Sequence, residues 1–367
     1  MQRASEMVLV TGATGLVGGA VLTRMLRVDA GLHAAVLVRD LRRWSATASR
    51  LGIRADRVTP VLGDLRSPGC GLDRDARLWL RHRVTAVVHA AADIMFAHPL
   101  AEARATNVAG VRHLVELVSD WPWARRIAHV STAYVAGRRG GRILETDAPH
   151  PGPWVNPYEQ TKAEGEALIR ATDREWVILR SGYIACDTPA GQVSQFNAVH
   201  LALRYLHEGR TPVIPGSAHT AIDVVTTDYV ASGIATLARH RDATGRTFHL
   251  CAGQSAMPLG ELLDLCWRVW GEDAQWRAAG VRPPRIVGAL MYRLLSALFA
   301  TGDSPTARAA RAVSHFVPHL ALAQRFDTSQ ADAMLGFAAP PVRAYWPRML
   351  RDLKQAGWGR EPAGVAA

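Results

Sequence analysis

Short, mostly apolar runs recur through the first half of the chain, each followed by a mixed stretch with helical spacing. Met7-Val8-Leu9-Val10, Ala34-Ala35-Val36-Leu37-Val38, Val58 to Leu62, Val84 to Val88 and Ile127-Ala128-His129 are the runs. Brief runs of this kind, bounded by turn residues, suit strands covered on both faces. Between them Val17 to Arg27, Pro99 to Ser119 and Pro157 to Thr172 carry the helical period. Strand and helix alternate from residue 6 to about 180, which predicts an α/β fold with a doubly wound parallel sheet. Beyond that point the alternation fades. Ile222-Asp223-Val224-Val225 is expected as a late strand returning to the sheet, and residues 250–350 read as helices joined by short connectors.

The first strand runs directly into Thr11-Gly12-Ala13-Thr14-Gly15-Leu16-Val17-Gly18. Glycines at this spacing allow a tight bend, close approach of backbone to a pyrophosphate and close helix packing, while the helix N-terminus supplies N–H groups. The strand before and the amphipathic stretch after give the motif its required context, so a Rossmann-type dinucleotide site is expected. The second strand ends in Arg39, with Arg42 and Arg43 following, rather than in an acid that accepts both ribose hydroxyls. This favours a 2′-phosphate, hence NADPH, with Asp40 leaving NADH possible; an ordinary surface arginine is the plain alternative. Gly63-Asp64-Leu65 and His89-Ala90-Ala91-Ala92 follow later strands as expected cofactor walls, Asp64 accepting from the adenine amino group and the alanines letting the ribose lie close. His89 is read as a satisfied strand-end residue.

Lys162 is one of two lysines against 41 arginines, so its position calls for an ammonium rather than a guanidinium. It lies in Asn156-Pro157-Tyr158-Glu159-Gln160-Thr161-Lys162, where Asn156 suits an N-cap, Pro157 the first turn and Glu159 a capping box. Tyr158 and Lys162 then share one helical face. A nearby ammonium favours the phenolate and brings Tyr158 toward acid–base usefulness. Thr132, in Val130-Ser131-Thr132-Ala133-Tyr134-Val135, is the hydroxyl expected to meet the phenol, with Ser131 second.

Together Thr11-Gly12-x-x-Gly15-x-x-Gly18, Asp64-Leu65, Ala90-Ala91-Ala92, Asn107-Val108-x-Gly110, Thr132 and Tyr158-x-x-x-Lys162 resemble the extended short-chain dehydrogenase/reductase family over about residues 7–230. The resemblance implies that Thr132 and Tyr158 bond the substrate oxygen while Lys162 holds the nicotinamide ribose and tunes Tyr158. It places Asn107, Gly182 and Ile184 with the cofactor residues and Phe96, Ser131 and Tyr183 beside the substrate. His89 to Phe96, Val130 to Val135 and Tyr158 to Glu164 look like the thioester reductase and fatty acyl-CoA reductase branch. That branch implies NADPH-dependent reduction of an acyl thioester, delivered by coenzyme A or an acyl carrier protein, to an aldehyde and onward to an alcohol if a second hydride follows. Leu179-Arg180-Ser181-Gly182-Tyr183-Ile184 departs from the branch, which usually has proline where Ser181 stands. The rivals keep the same residues: a nucleotide-sugar epimerase or dehydratase, a steroid- or flavonol-type ketone reductase, or a non-catalytic NADP-sensing protein. A homodimer through the helices at 99–119 and 157–172 is a family expectation.

The domain organisation expected is 1–185 for the nucleotide-binding part with a returning segment near 220–240, then 186–219 and 241–358 as a smaller, mainly helical substrate lobe, and a disordered tail at 359–367. A chain of 367 residues, 49% hydrophobic, has material for both. Cys70, Cys186, Cys251 and Cys266 show no metal-ligand or disulfide spacing, and no signal-peptide pattern opens the chain, so a reduced, cytoplasmic, metal-free protein is expected. The net charge of +11 is uneven, with twelve basic against five acidic residues from Arg277 onward. A basic face suits coenzyme A phosphates or an acidic carrier; no base-reading module accompanies it, so nucleic acid is not expected. Ile286 to Ala300 is apolar but shorter than the roughly 20 residues that span a bilayer. Burial in the lobe is expected, with peripheral membrane contact or lining of an acyl channel as alternatives.

Overall fold

The computed structural model describes residues 6–299 and 301–358. Seven parallel strands form its central sheet: β1 (Met7–Thr11), β2 (His33–Val38), β3 (Val58–Leu62), β4 (Val84–His89), β5 (Arg126–Thr132), β6 (Glu175–Ser181) and β7 (Arg246–Leu250). Their order is 3-2-1-4-5-6-7. Val10 sits in register between Val36 and Val88, in the middle of the sheet. Strand order reverses between β1 and β4, and a ligand crevice opens at the carboxyl ends of strands at such a point.

Alternation along β1 sends Val8 and Val10 to one face and Leu9 to the other. On the first face α1 (Leu16–Val28) and α6 (Thr227–Leu237) pack Val21, Leu22, Met25, Val230 and Ile234 against Val8, Val10 and Val36. On the second, α3 (Arg74–Arg81) and α4 (Gly110–Val118) bury Leu80, Leu114 and Leu117 with Leu9, Ala35 and Ile127. α4 is continued backward through a π turn at Ala105–Ala109 and the short helix Leu100–Arg104, so the helix expected from Pro99 is one irregular run. Between α1 and α3 lies α2 (Leu41–Arg50), and α5 (Pro157–Arg170) carries the Tyr158/Lys162 face.

Three expectations are corrected. The seventh strand comes from Arg246–Leu250, inside the stretch assigned to the lobe, and pairs with β6. The segment 222–225 does not enter the sheet: Ala221–Ile222 pairs with Met257–Pro258, and Val224–Thr226 with Tyr183–Cys186. Asp223 interrupts that run, and its buried carboxylate accepts the Ala252 N–H just past β7, anchoring the segment at the sheet's end. The helix expected to be buried is Ala289–Phe299, with Ile286 in the strand Arg285–Val287. Its Leu290, Met291, Leu294 and Leu298 are exposed, because only the Tyr292 side packs on the lobe. The expected tail, from Gly359, lies outside the described residues.

The lobe core joins the helices Ala198–His207, Leu259–Trp270 and Val342–Gln355 through Leu203, Leu262, Trp270, Tyr345 and Trp346. Among the described residues no helix is long and apolar enough to cross a membrane.

Candidate active site at the carboxyl edge of the sheet

The chain leaves β1 through Gly12, whose φ of 74° is the left-handed conformation glycine adopts freely. A Cβ there would lie 2.6 Å from the Ala91 nitrogen, and one on Gly18 would overlap the Gly12 carbonyl. Gly15 caps α1 without a side-chain bond, and the first turn holds no acid. The first-turn N–H groups and the positive helix end are therefore uncommitted, with Thr14, Gly15, Leu16 and Val17 half-buried around them. This arrangement fits a dinucleotide pyrophosphate. Thr11 and Asn107 support it from behind. The Thr11 hydroxyl lies 2.7 Å from His89 Nδ1 and accepts the Ala91 N–H, joining β1 to the loop Ala90-Ala91-Ala92. Asn107 accepts from the Asp93 N–H, and its amide donates to the Asp93 carbonyl and the Thr161 hydroxyl, clamping that loop to α5.

At the far end of the crevice Arg39 is exposed after β2. Asp40 caps α2, accepting from the Arg42 and Arg43 N–H groups at 2.8 and 3.1 Å, so its carboxylate is already engaged. Asp64 is gripped by the Arg66 guanidinium at 2.7 Å and by the Arg66 N–H, which hold it below the usual carboxylate range. Leu65 is buried, its Cβ against Gly110, and presents backbone rather than side chain.

Along α5, Tyr158, Lys162 and Glu166 form one stripe against β5 and β6. Asn156 caps the helix, accepting the Glu159 N–H at 3.0 Å. Lys162 is buried and donates from Nζ to the Val130 carbonyl at 2.7 Å. Burial pushes its ammonium down to about 8, against the opposing pull of Glu166. Burial also raises Tyr158, while a hydrogen bond with Thr132 pulls the other way. The expected depression of the phenol by Lys162 is therefore not what this arrangement produces: the phenol is kept protonated and Thr132 supplies the opposing effect. The Thr132 hydroxyl also reaches the Ser181 carbonyl at 3.4 Å. Ser131 is buried and its hydroxyl has no hydrogen-bond partner among the described residues, while nearby Glu166 is a carboxylate that burial would raise but that the Arg180 fork and Arg170 hold low. Arg180 meets both Glu166 oxygens at 2.9 Å, and neither side chain is more than 1% exposed. Ser181, standing where proline is usual, ends β6 in register between Thr132 and Leu250, so the sheet holds it on both sides. Gly182 packs onto Asp223 so closely that a Cβ would overlap the carboxylate.

An aromatic cluster begins at the Tyr158 ring. Phe96 lies 5.5 Å from the Tyr158 ring and 6.2 Å from Phe316, while the Tyr183 and Tyr134 rings, tilted 40° to each other, lie 4.4 Å apart. Beside them a cavity with about 1040 Å³ of unfilled space, its mouth open to solvent, runs into the lobe. Tyr134, Tyr183 and Phe316 stand at one end, and Leu203, Leu259 and Leu263 line its depth. Among the described residues none of helix 289–299 lines it; Tyr292 and Ser296 line a smaller pocket that shares Thr211 and Val313 with it. Asp223 is among the few polar groups in its wall; burial pushes its carboxyl up to about 6.

Sequence reasoning passed over the lobe's contribution. Glu159 does not close a box on Asn156 N–H; its Oε2 accepts the Val155 N–H, and its Oε1 takes Asn156 Nδ2 and His319 Nε2 at 2.8 and 2.6 Å. His319, Phe316 and Gln324 come from a region whose hydropathy carries no ordered pattern. Tyr134 and Glu159 stood in motifs already singled out, though not for this role.

Residues 10–234 match the family profile described as "Male sterility protein", an NAD-binding family. Among curated proteins, the chain is 28% identical over 268 residues to the L-2-aminoadipate reductase large subunit of Penicillium chrysogenum, covering 65% of this chain and 19% of that protein. It is 25% identical over 260 residues to a linear gramicidin synthase of Brevibacillus parabrevis, covering 66% of this chain and 5% of that one. The chain thus spans less than a fifth of the length of these relatives. A solved structure of the terminal R domain from the myxalamid PKS-NRPS biosynthetic pathway superposes with a TM-score of 0.79 at 23% identity, covering 99% of this chain and 94% of that one, which shows the shared fold. With its glycine turn, seven-stranded parallel sheet and matched profile over more than half its length, the chain belongs to the NAD-binding family described as "Male sterility protein".

Proposed function

We propose that the protein reduces an acyl thioester with NADPH, releasing an aldehyde and a thiol. The observation that carries this reading is the apolar cavity whose rim residue Phe316 packs on Phe96, the ring against Tyr158: leucines and aromatic rings suit an acyl chain, whereas a nucleotide sugar needs many polar partners. Relatives named as a reductase and as a gramicidin synthase, and the solved R domain, support a carrier-bound or coenzyme A-bound acyl group delivered by another protein or domain. The turn at Gly12–Gly18 would hold the pyrophosphate, Arg39 a 2′-phosphate and Lys162 the nicotinamide ribose. When bound, the reduced nicotinamide supplies a hydride.

The chain's own residues do the rest. Thr132 and Tyr158 donate hydrogen bonds to the thioester oxygen as negative charge develops on it. Burial keeps Tyr158 in its protonated form, so it is able to give that oxygen a proton. Lys162, held beside the Val130 carbonyl, keeps positive charge near the phenol as it ionises. The aromatic rim of Phe96, Tyr183 and Phe316 limits water at the reacting carbon. Collapse of the hemithioacetal breaks the C–S bond, giving aldehyde and thiol.

NADPH consumption measured across acyl-coenzyme A and acyl-carrier thioesters, with products identified, tests the reading. Aldehyde or alcohol formation that Tyr158→Phe abolishes is the expected result. Turnover of UDP-sugars or ketones with every thioester left intact would overturn it.

A further inference from the structure

A smaller pocket, with about 270 Å³ of unfilled space, adjoins the apolar cavity. Thr211 and Val313 belong to the walls of both, so these two side chains stand between the two spaces. Three segments enclose the smaller one. The helix Pro305–Val313 presents Thr306, Ala310 and Val313, four and three residues apart and hence on one face. The helix Ala289–Phe299 presents Tyr292 and Ser296, one turn apart. Arg210 to Val213 closes the third side, and Val213 begins the strand that pairs with Arg285–Val287 just ahead of that helix.

Interiors are close-packed, so a space between packed helices needs a cause. Here Thr211, Ser296, Thr306 and Ala310 face it, each too small to fill it as a leucine would. The Ser296 hydroxyl donates back to the Arg293 carbonyl at 3.2 Å and so asks nothing polar of an occupant. Tyr292 packs with Leu201, Tyr205 and Val317, which holds the helix on the lobe. The same run of chain leads back to the reacting residues. After Val313 come Phe316 and Val317 in the wall of the larger cavity, and Phe316 lies 6.2 Å from Phe96, which lies 5.5 Å from the Tyr158 ring. In the other direction a rise of about 1.5 Å per residue carries Thr306 roughly 10 Å along its helix from Val313.

We infer that the acyl channel continues between Thr211 and Val313 into the smaller pocket, and that Val313 and Ser296 set how long a chain the protein accepts. This rests on the proposed thioester reduction and narrows its substrates to chains that outrun the larger cavity. A short chain ends among the leucines. A longer one places its last methylenes under the helix Ala289–Phe299, where each methylene taken from water raises kcat/KM by up to about fourfold.

The test measures kcat/KM for butanoyl, octanoyl, dodecanoyl and hexadecanoyl coenzyme A in wild type, Ser296→Phe and Val313→Ala, each variant first checked by thermal melt and NADPH binding. Wild type should favour dodecanoyl over butanoyl by at least about tenfold. Ser296→Phe fills the smaller pocket without entering the larger one, so it should lower the dodecanoyl and hexadecanoyl values about tenfold and leave butanoyl unchanged. Val313→Ala widens the passage and should raise the ratio of hexadecanoyl to octanoyl at least about threefold. A long-to-short ratio that neither substitution moves, or a wild type that prefers butanoyl, overturns the inference while leaving thioester reduction standing. Failure to turn over any thioester, by these or by carrier-bound chains, overturns both.

Discussion

Glu159 Oε1 and His319 Nε2 lie 2.6 Å apart in a contact that fastens the lobe to the helix carrying Tyr158 and Lys162. Both partners are buried, and Asn156 adds a second tie by donating to the His315 carbonyl at 2.9 Å. The neighbour of Tyr158 is thus the point where the two parts of the chain meet. A double-mutant cycle with Glu159→Gln and His319→Phe, followed by urea unfolding, should return a coupling of about 1–3 kcal/mol. Additive effects would show that the contact contributes nothing specific.

Lys162 makes opposite predictions for activity and stability. Its ammonium is pushed down to about 8 from an ordinary lysine value, so above pH 8 the folded protein loses this proton while the unfolded chain keeps it. The unfolded state then binds more protons, and this group's contribution to stability rises with pH from about 8 to the unfolded lysine value. Activity moves the other way: kcat/KM should fall as pH passes about 8. Lys162→Met should remove the alkaline limb and lower kcat by on the order of 10²-fold. An unchanged alkaline limb in that variant would assign it to another group.

Replacing Tyr158 by Phe should lower kcat by about 10²–10⁴-fold with little effect on NADPH binding, because only the proton donor is removed. Thr132→Val, which removes the hydroxyl partner, should cost about tenfold or more and raise the phenol pKa further. Kinetics and fluorescence titration of NADPH separate the two effects. Equal losses in binding and in kcat would make these residues cofactor ligands instead.

Arg39→Ala should raise KM for NADPH at least tenfold and leave KM for NADH nearly unchanged. Asp40→Ala is the internal control. Its carboxylate caps α2, so the loss should be about 1 kcal/mol of stability with no change in coenzyme preference. A shift toward either coenzyme in Asp40→Ala would mean that this acid faces the ribose.

The Arg180–Glu166 pair joins α5 to β6 beneath the reacting residues. Arg180→Met should destabilise the protein, by less than the about 3–5 kcal/mol of a fully uncompensated buried charge, since Arg170 still donates to Glu166 at 2.8 Å. With the carboxyl of Glu166 held below its usual value, the pair's contribution is fully present above the ordinary glutamate pKa and is lost as pH falls through the depressed one. Thermal melts of wild type and Arg180→Met should therefore converge under acid conditions.

How far the chain could be read by itself differs from one segment to the next. The turn at Gly12–Gly18, the first five strands and the Tyr158/Lys162 face were legible because each rests on neighbours within four residues or on one continuous apolar run. The seventh strand was missed because Arg246-Thr247-Phe248-His249-Leu250 has polar residues at every second position, and only pairing with β6 covers them. The exposed face of Ala289–Phe299 misled for the opposite reason: apolar composition records what is able to be buried, and packing decides which side is.

Local sequence therefore determined the parallel sheet, the nucleotide turn and the reacting hydroxyls, since their geometry is written in short-range periodicity and in backbone freedom at glycine. Tertiary structure alone decided what surrounds those groups. The burial that sets Lys162 and Tyr158, the joining of Glu159 to His319 across 160 residues and the assembly of an apolar cavity from distant helices all depend on long-range packing, which no window of sequence contains.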